Sequence, residues 1–93
     1  MRKIRHTNRF KRDYKREKSG RHSKTIDAVL MDIVKLLAAD VPLPHYNFDH
    51  PLSGEWVDHR DCHIKPDLIL IYRKPDDDFL DLVRLGSHSE IGL

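Results

Sequence analysis

The most regular pattern in the chain is the recurrence of Ile26, Val29, Leu30, Ile33 and Leu37 at spacings of three and four, which predicts an amphipathic helix. Ser23 stands where an N-cap is favoured, and Pro42 and Pro44 stop the helix near Asp40, because proline lacks an amide donor and biases its predecessor toward extended backbone. Ahead of it, Met1 to His6 reads as a short first strand. Thr7 or Asn8 then caps another helix running to about Lys18, anchored to the core by Phe10 and Tyr14, and Ser19 and Gly20 separate the two helices.

The period changes after the proline-studded segment VPLPHYNFDHPLSGEW. A strand is expected between Trp56 and Ile64, and Pro66 interrupts it. Leu68 to Tyr72, with Ile69 and Ile71, reads as a central strand; Pro75 and Asp76 to Asp78 mark a turn, and Phe79 to Leu85 reads as the last strand. The order is β-α-α-β-β-β, an α+β class. It predicts one small domain over residues 1–93, with two N-terminal helices packed on one face of a mostly antiparallel four-stranded sheet and the other face free for a site.

Composition narrows the class. At 93 residues the chain supports one small core, and 39% hydrophobic with 34% charged residues fits a globule better than a disordered chain. The single cysteine, Cys62, cannot form an internal disulfide and reads as a small buried hydrophobe. The start MRKIRHTNRFKR lacks a secretory apolar stretch, so a cytoplasmic location is expected. No membrane span is expected either, since Ile26 to Ala39 carries three charges and falls short of the roughly 20 residues needed.

Charge is distributed unevenly. Residues 1–24 hold 11 of the 17 Lys and Arg against Asp13 and Glu17, a balance of +9, whereas the remainder carries −7. Such polarity points to a basic region that meets a polyanion, with Arg9, Lys11, Arg12, Lys15, Arg16, Lys18 and Arg21 as the candidate contacts.

Seven histidines are many for this length, and four of them fall between positions 45 and 63. His59 and His63 have the spacing of zinc ligands on a helix, but VDHRDCHI precedes a strand, contains no HExxH and offers one cysteine, so neither a metal nor a cofactor is expected. His50, His63 and His88, with Asp67 and Arg84, are instead the residue types that cleave RNA without a metal. The 2′-hydroxyl must lose a proton, the departing 5′-oxygen must gain one, and the charge gathering on the phosphoryl oxygens needs fixed donors. By residue type alone a non-catalytic nucleic-acid or protein module stays open beside a ribonuclease. Each residue also has a plain structural role available: a loop hydrogen bond for His50, a solvent-facing strand position for His63, a turn for Asp67, an ion pair for Arg84 and a mobile tail for His88.

The segments HPLSGEW at 50–56, RDCHIKPDLILIY at 60–72 and RLGSHSE at 84–90, together with PLP at 42–44 and the helix pair before it, closely resemble the YafQ-type messenger RNA interferases of the RelE/ParE toxin superfamily. The resemblance implies a RelE-like fold. It also implies a toxin that enters the ribosomal A site, cuts the messenger RNA there and is held inactive by a cognate, DinJ-like antitoxin. In that picture His50 acts as general base and His88 as general acid, His63 and Asp67 place and polarise the reacting groups, and Arg84 counters phosphate charge. The basic N-terminal helix rests on ribosomal RNA. Toxins of the same superfamily that act on DNA gyrase lack the three histidines, and a decayed RNA- or antitoxin-binding module is the other alternative. Leu68 stands where relatives can carry Trp, and the chain ends Ile91-Gly92-Leu93 where they can carry an aromatic able to stack on a base; Tyr46, Phe48 and Trp56 are the aromatics left for that role.

Overall fold

Strand β1 (Lys3–His6) is followed by helices α1 (Asn8–Lys18) and α2 (Ile26–Ala38), strands β2 (His50–Pro51), β3 (Arg60–Lys65), β4 (Leu68–Arg73) and β5 (Phe79–Gly86), and the short helix α3 (His88–Ile91). The computed structural model describes residues 1–93. The sheet runs β1-β5-β4-β3-β2, antiparallel except where β1 lies parallel to β5. The expected α+β layout is present, with five strands instead of four. The additional one, β2, is only His50 and Pro51 paired with Asp61 and Arg60, and its proline is tolerated because β2 is an edge. No helix is long and apolar enough to cross a membrane.

Local chemistry sets the helix ends. Thr7 caps α1, its hydroxyl accepting from the Phe10 amide at 3.0 Å. Helix α2 begins at Ile26, later than a cap at Ser23 predicts, because hydrogen-bonded turns occupy the preceding residues: Ser23 donates to the Gly20 carbonyl and Thr25 to that of His22. Thr25 holds the cap position, but its hydroxyl is engaged by the Lys65 ammonium and not by a backbone amide.

Strand alternation divides the interior in two. Cys62, Ile64, Leu68, Leu70, Tyr72, Leu80, Leu82 and Leu85 face the helices and pack with Phe10, Ile26, Leu30, Ile33, Val34 and Leu37 in the main core. Burial of a side chain of this size contributes about 1.5–3 kcal/mol, so this layer supplies most of the driving force. The opposite face is less open than expected. Ile69 and Ile71 are fully buried there beneath Ile91, Leu52, Trp56 and Val83, which leaves half-buried His63 on β3 and exposed His50 on β2 as the open part.

Strand β5 outlasts its neighbour β1, which ends at His6 opposite Leu82. Helix α1 and its cap satisfy the edge beyond that point. The Thr7 amide donates to the Leu82 carbonyl at 3.1 Å and its hydroxyl to that of Val83 at 2.8 Å. Asp13 accepts from the Leu85 amide at 3.0 Å, and Arg16 donates to the Leu85 carbonyl at 2.9 Å. The cap residue and side chains of the helix thereby replace a missing strand and fix α1 against the end of β5, which leads directly into α3.

Candidate active site

The β2–β3 pairing sets His50 directly across from Asp61. Alternation along β3 then turns Asp61 and His63 to the face away from the main core, while Cys62 between them is fully buried on the other. His50 Nδ1 lies 3.1 Å from Asp61 Oδ1 and 2.7 Å from the Phe48 carbonyl oxygen. Because that carbonyl can only accept, the proton of a neutral His50 belongs on Nδ1 and the Nε2 lone pair is left open. Asp49, next to His50, is held by the Tyr72 hydroxyl at 2.6 Å and Arg60 Nε at 3.1 Å, so the strand carrying the histidine is fixed from the sheet side.

His63 links the cluster to α3 and to the loop before β2. Its ring centroid is 5.5 Å from that of His88 and 5.3 Å from that of Phe48. Asn47, buried, donates to the His63 carbonyl at 2.8 Å and ties the loop before β2 to β3. His88 is placed by a capping box, not by a mobile tail. Ser87 Oγ accepts from the Glu90 amide at 3.2 Å, and the Ser87 amide donates to Glu90 Oε1 at 2.9 Å, which holds the Glu90 carboxyl below its usual range. Arg16 Nε reaches Glu90 Oε2 at 3.2 Å, and Arg16 also pairs with Asp13 at 3.1 Å, so the start of α3 is linked to α1.

Asp61 is the group whose environment is most unusual. It is 2% exposed, and its Oδ1 has no hydrogen-bond partner although His50 Nδ1 is near. Burial pushes its carboxyl upward, against the pull of His50, His63 and His88, which all favour the charged form. A buried carboxylate beside three imidazoles can steady an imidazolium formed during a reaction.

The profile of a family described as bacterial toxin of type II toxin-antitoxin system, YafQ, matches residues 2–92. The chain belongs to the YafQ toxin family. It is 36% identical over 91 residues to the mRNA interferase toxin YafQ of Escherichia coli strain K12, covering 98% of this chain and 96% of that protein. The crystal structure of YafQ from E. coli strain BL21(DE3) superposes with a TM-score of 0.84 at 33% identity, and YafQ in the E. coli DinJ-YafQ complex with 0.83 at 36%, each covering 98% of both chains. These relatives place the fold in the RelE/ParE superfamily of type II toxins.

The YafQ-type positions singled out in the sequence do not all meet. His50, His63 and His88 come together around Asp61. Arg84 lies opposite Ile71, which in turn lies opposite Asp61, so register puts it on their face, but it is buried, and its Nε and Nη2 are committed to Asp13. Nη1 makes no hydrogen bond within the chain. Asp67 lies in the β3–β4 turn, paired with Arg21 and 3.5 Å from His22 Nε2; none of its polar contacts is to the three histidines.

The basic residues of this YafQ-family chain sort the same way. Arg9, Lys11, Arg12 and Lys15 are exposed and make no ion pair, whereas Arg16 is held by Asp13, Glu17 and Glu90, Lys18 by Asp27, and Arg21 by Asp67. Cys62 is inert core, its thiol pushed up chiefly by burial. Asp61 is the residue the sequence reading missed. Its signal was there in the two-residue spacing from His63, which on a strand means the same face.

Proposed function

We propose that this chain is a ribosome-dependent messenger RNA endoribonuclease, a toxin neutralised by a cognate antitoxin that acts in the cytoplasm. The observation that carries the reading is the convergence of His50, His63 and His88 on the buried carboxylate of Asp61 in a YafQ-family fold. The E. coli relative is named an mRNA interferase, and the DinJ-YafQ complex supports a DinJ-like antitoxin as partner.

In the proposed reaction His50 Nε2 takes the proton of the 2′-hydroxyl as its oxygen attacks the adjacent phosphorus. The P–O5′ bond breaks, and His88 delivers a proton to the departing 5′-oxygen. The products are a 2′,3′-cyclic phosphate and a 5′-hydroxyl, and no metal takes part. Asp61 and the Phe48 carbonyl stabilise the imidazolium formed at His50, while His63, its ring 5.5 Å from that of His88, helps place the reacting phosphate. Arg84, held in plane by Asp13, offers Nη1 to the phosphoryl oxygens as their charge grows. In the turn below the site, Asp67 orders the β3–β4 corner through Arg21 and His22. The unpaired Arg9, Lys11, Arg12 and Lys15 supply the contact with ribosomal RNA phosphates, a recognition of shape and charge that needs no base reading.

Expression from a tight promoter, with and without the neighbouring antitoxin, followed by mapping of new RNA 5′ ends, tests the reading. Cuts in frame within translated messages, suppressed by the antitoxin, are expected. Growth arrest with intact messages and impaired DNA gyrase would overturn it.

A further inference from the structure

We propose that Phe48 is a stacking platform for a nucleobase next to the scissile phosphate, and so a contact that sets where the message is cut. The inference rests on the RNA-cleaving reading and adds a binding subsite to it. Phe48 is 61% exposed, although a free phenyl ring gains by burial. Its backbone sits in the left-handed region at φ 49°, a conformation that disfavours bulky side chains. Three neighbouring bonds hold it there: its amide donates to the His45 carbonyl at 3.0 Å, its own carbonyl accepts from His50, and Asn47 beside it donates to the His63 carbonyl.

The ring therefore stands at the edge of the histidine cluster, tilted 57° to His63 and next to it. An exposed, fixed aromatic face beside phosphate chemistry suits one class of ligand, the flat face of a base, whose stacking is strong and tolerant of base identity. The other candidate aromatics are placed differently. Tyr46 is 67% exposed but its ring pairs with that of His45 and not with the three-histidine cluster, and Trp56 packs over Ile69 and Ile71 beneath the site.

The test uses ribosomes programmed with a message whose A-site codon is blocked by 2′-deoxy substitution and carries 2-aminopurine at each position in turn, compared with the unblocked message. Wild-type protein should quench the fluorescence at one position. Phe48→Ala should lose at least half of that quench and slow single-turnover cleavage by about 5- to 150-fold, the range expected for one lost base stack, whereas Phe48→Tyr should restore both. An equal quench in Phe48→Ala, or none at any position with wild type, overturns the inference. The two claims separate cleanly: quenching without cleavage of the unblocked message leaves the subsite standing and removes the ribonuclease, while cleavage and quenching unchanged in Phe48→Ala do the reverse.

Discussion

Asp13 of α1 and Arg84 of β5, 71 residues apart in the chain, form a buried two-point ion pair, with Arg84 Nε donating to Asp13 Oδ2 at 2.7 Å and Nη2 to Oδ1 at 3.3 Å. The same carboxylate accepts the Leu85 amide. Burial alone would raise the Asp13 carboxyl, but the Arg84 hydrogen bond, the Leu85 amide and the charges of Arg84 and Arg16 outweigh it and hold the group below its ordinary value of 3.8. An arginine that the sequence marks for phosphate binding is thus first a joint between helix and sheet.

Asp13→Asn leaves the Arg84 charge buried without its counterion and should cost about 3–5 kcal/mol, read by chemical denaturation at neutral pH. The folded carboxyl titrates lower than the unfolded one. Its stabilisation is therefore complete above the unfolded pKa and is lost as pH falls through the folded value, so wild type and variant should converge in strong acid.

Asp61 carries the opposite sign. With its folded pKa raised above 3.8, its ionisation opposes folding: the favourable contribution is present below the unfolded pKa and disappears as pH rises through the folded one. Asp61→Asn should raise the Tm at neutral pH, with a gain that shrinks toward acid, and should at the same time slow cleavage. A variant that is less stable at neutral pH, or fully active, would contradict this account of a carboxylate kept for function.

Much of this architecture is legible in the chain. The main helix is read from apolar spacing, α1 from Thr7, Phe10 and Tyr14, and the sheet from Leu68 to Tyr72, because these signals are local and repeated. The edge strand is not, since two residues, one of them Pro51, carry no periodicity and exist as a strand only through β3. Helix α3 was within reach as a Ser87-x-x-Glu90 capping box, but a four-residue helix has too short an apolar pattern to read as one. Three histidines were found by type. Asp61 and the choice of Asp13 as the partner of Arg84 are not legible, because they depend on cross-strand register and on a helix folding back over 71 residues.

Neutralising Arg9, Lys11, Arg12 and Lys15 should weaken ribosome binding and flatten its salt dependence while leaving the melting curve nearly unchanged, since each phosphate contact releases counterions and none of these residues makes an ion pair in the fold. Arg16→Ala should behave differently and lower stability, because that guanidinium serves Asp13, Leu85 and Glu90. Ribosome affinity at several salt concentrations, with thermal melting alongside, separates the two classes; an unchanged salt slope in the fourfold variant would contradict the assignment.

Gly86 makes room for that same guanidinium: a Cβ there would stand 2.8 Å from Arg16 Nη2 and 3.3 Å from Glu90 Oε1. Gly86→Ala should push the Arg16 side chain off the Leu85 carbonyl and loosen the start of α3. Cleavage should fall more than global stability does, and hydrogen exchange should quicken at the amides of Glu90 and Ile91. Unchanged exchange and activity would show that His88 does not depend on this link.

The claim that two histidines divide acid and base duty around Asp61 is tested most directly by single-turnover cleavage on programmed ribosomes, with binding followed separately. His50→Ala and His88→Ala should each slow cleavage by about 100- to 10,000-fold, the span for losing a general acid or base, while ribosome affinity changes little. Full activity in both variants would contradict the account.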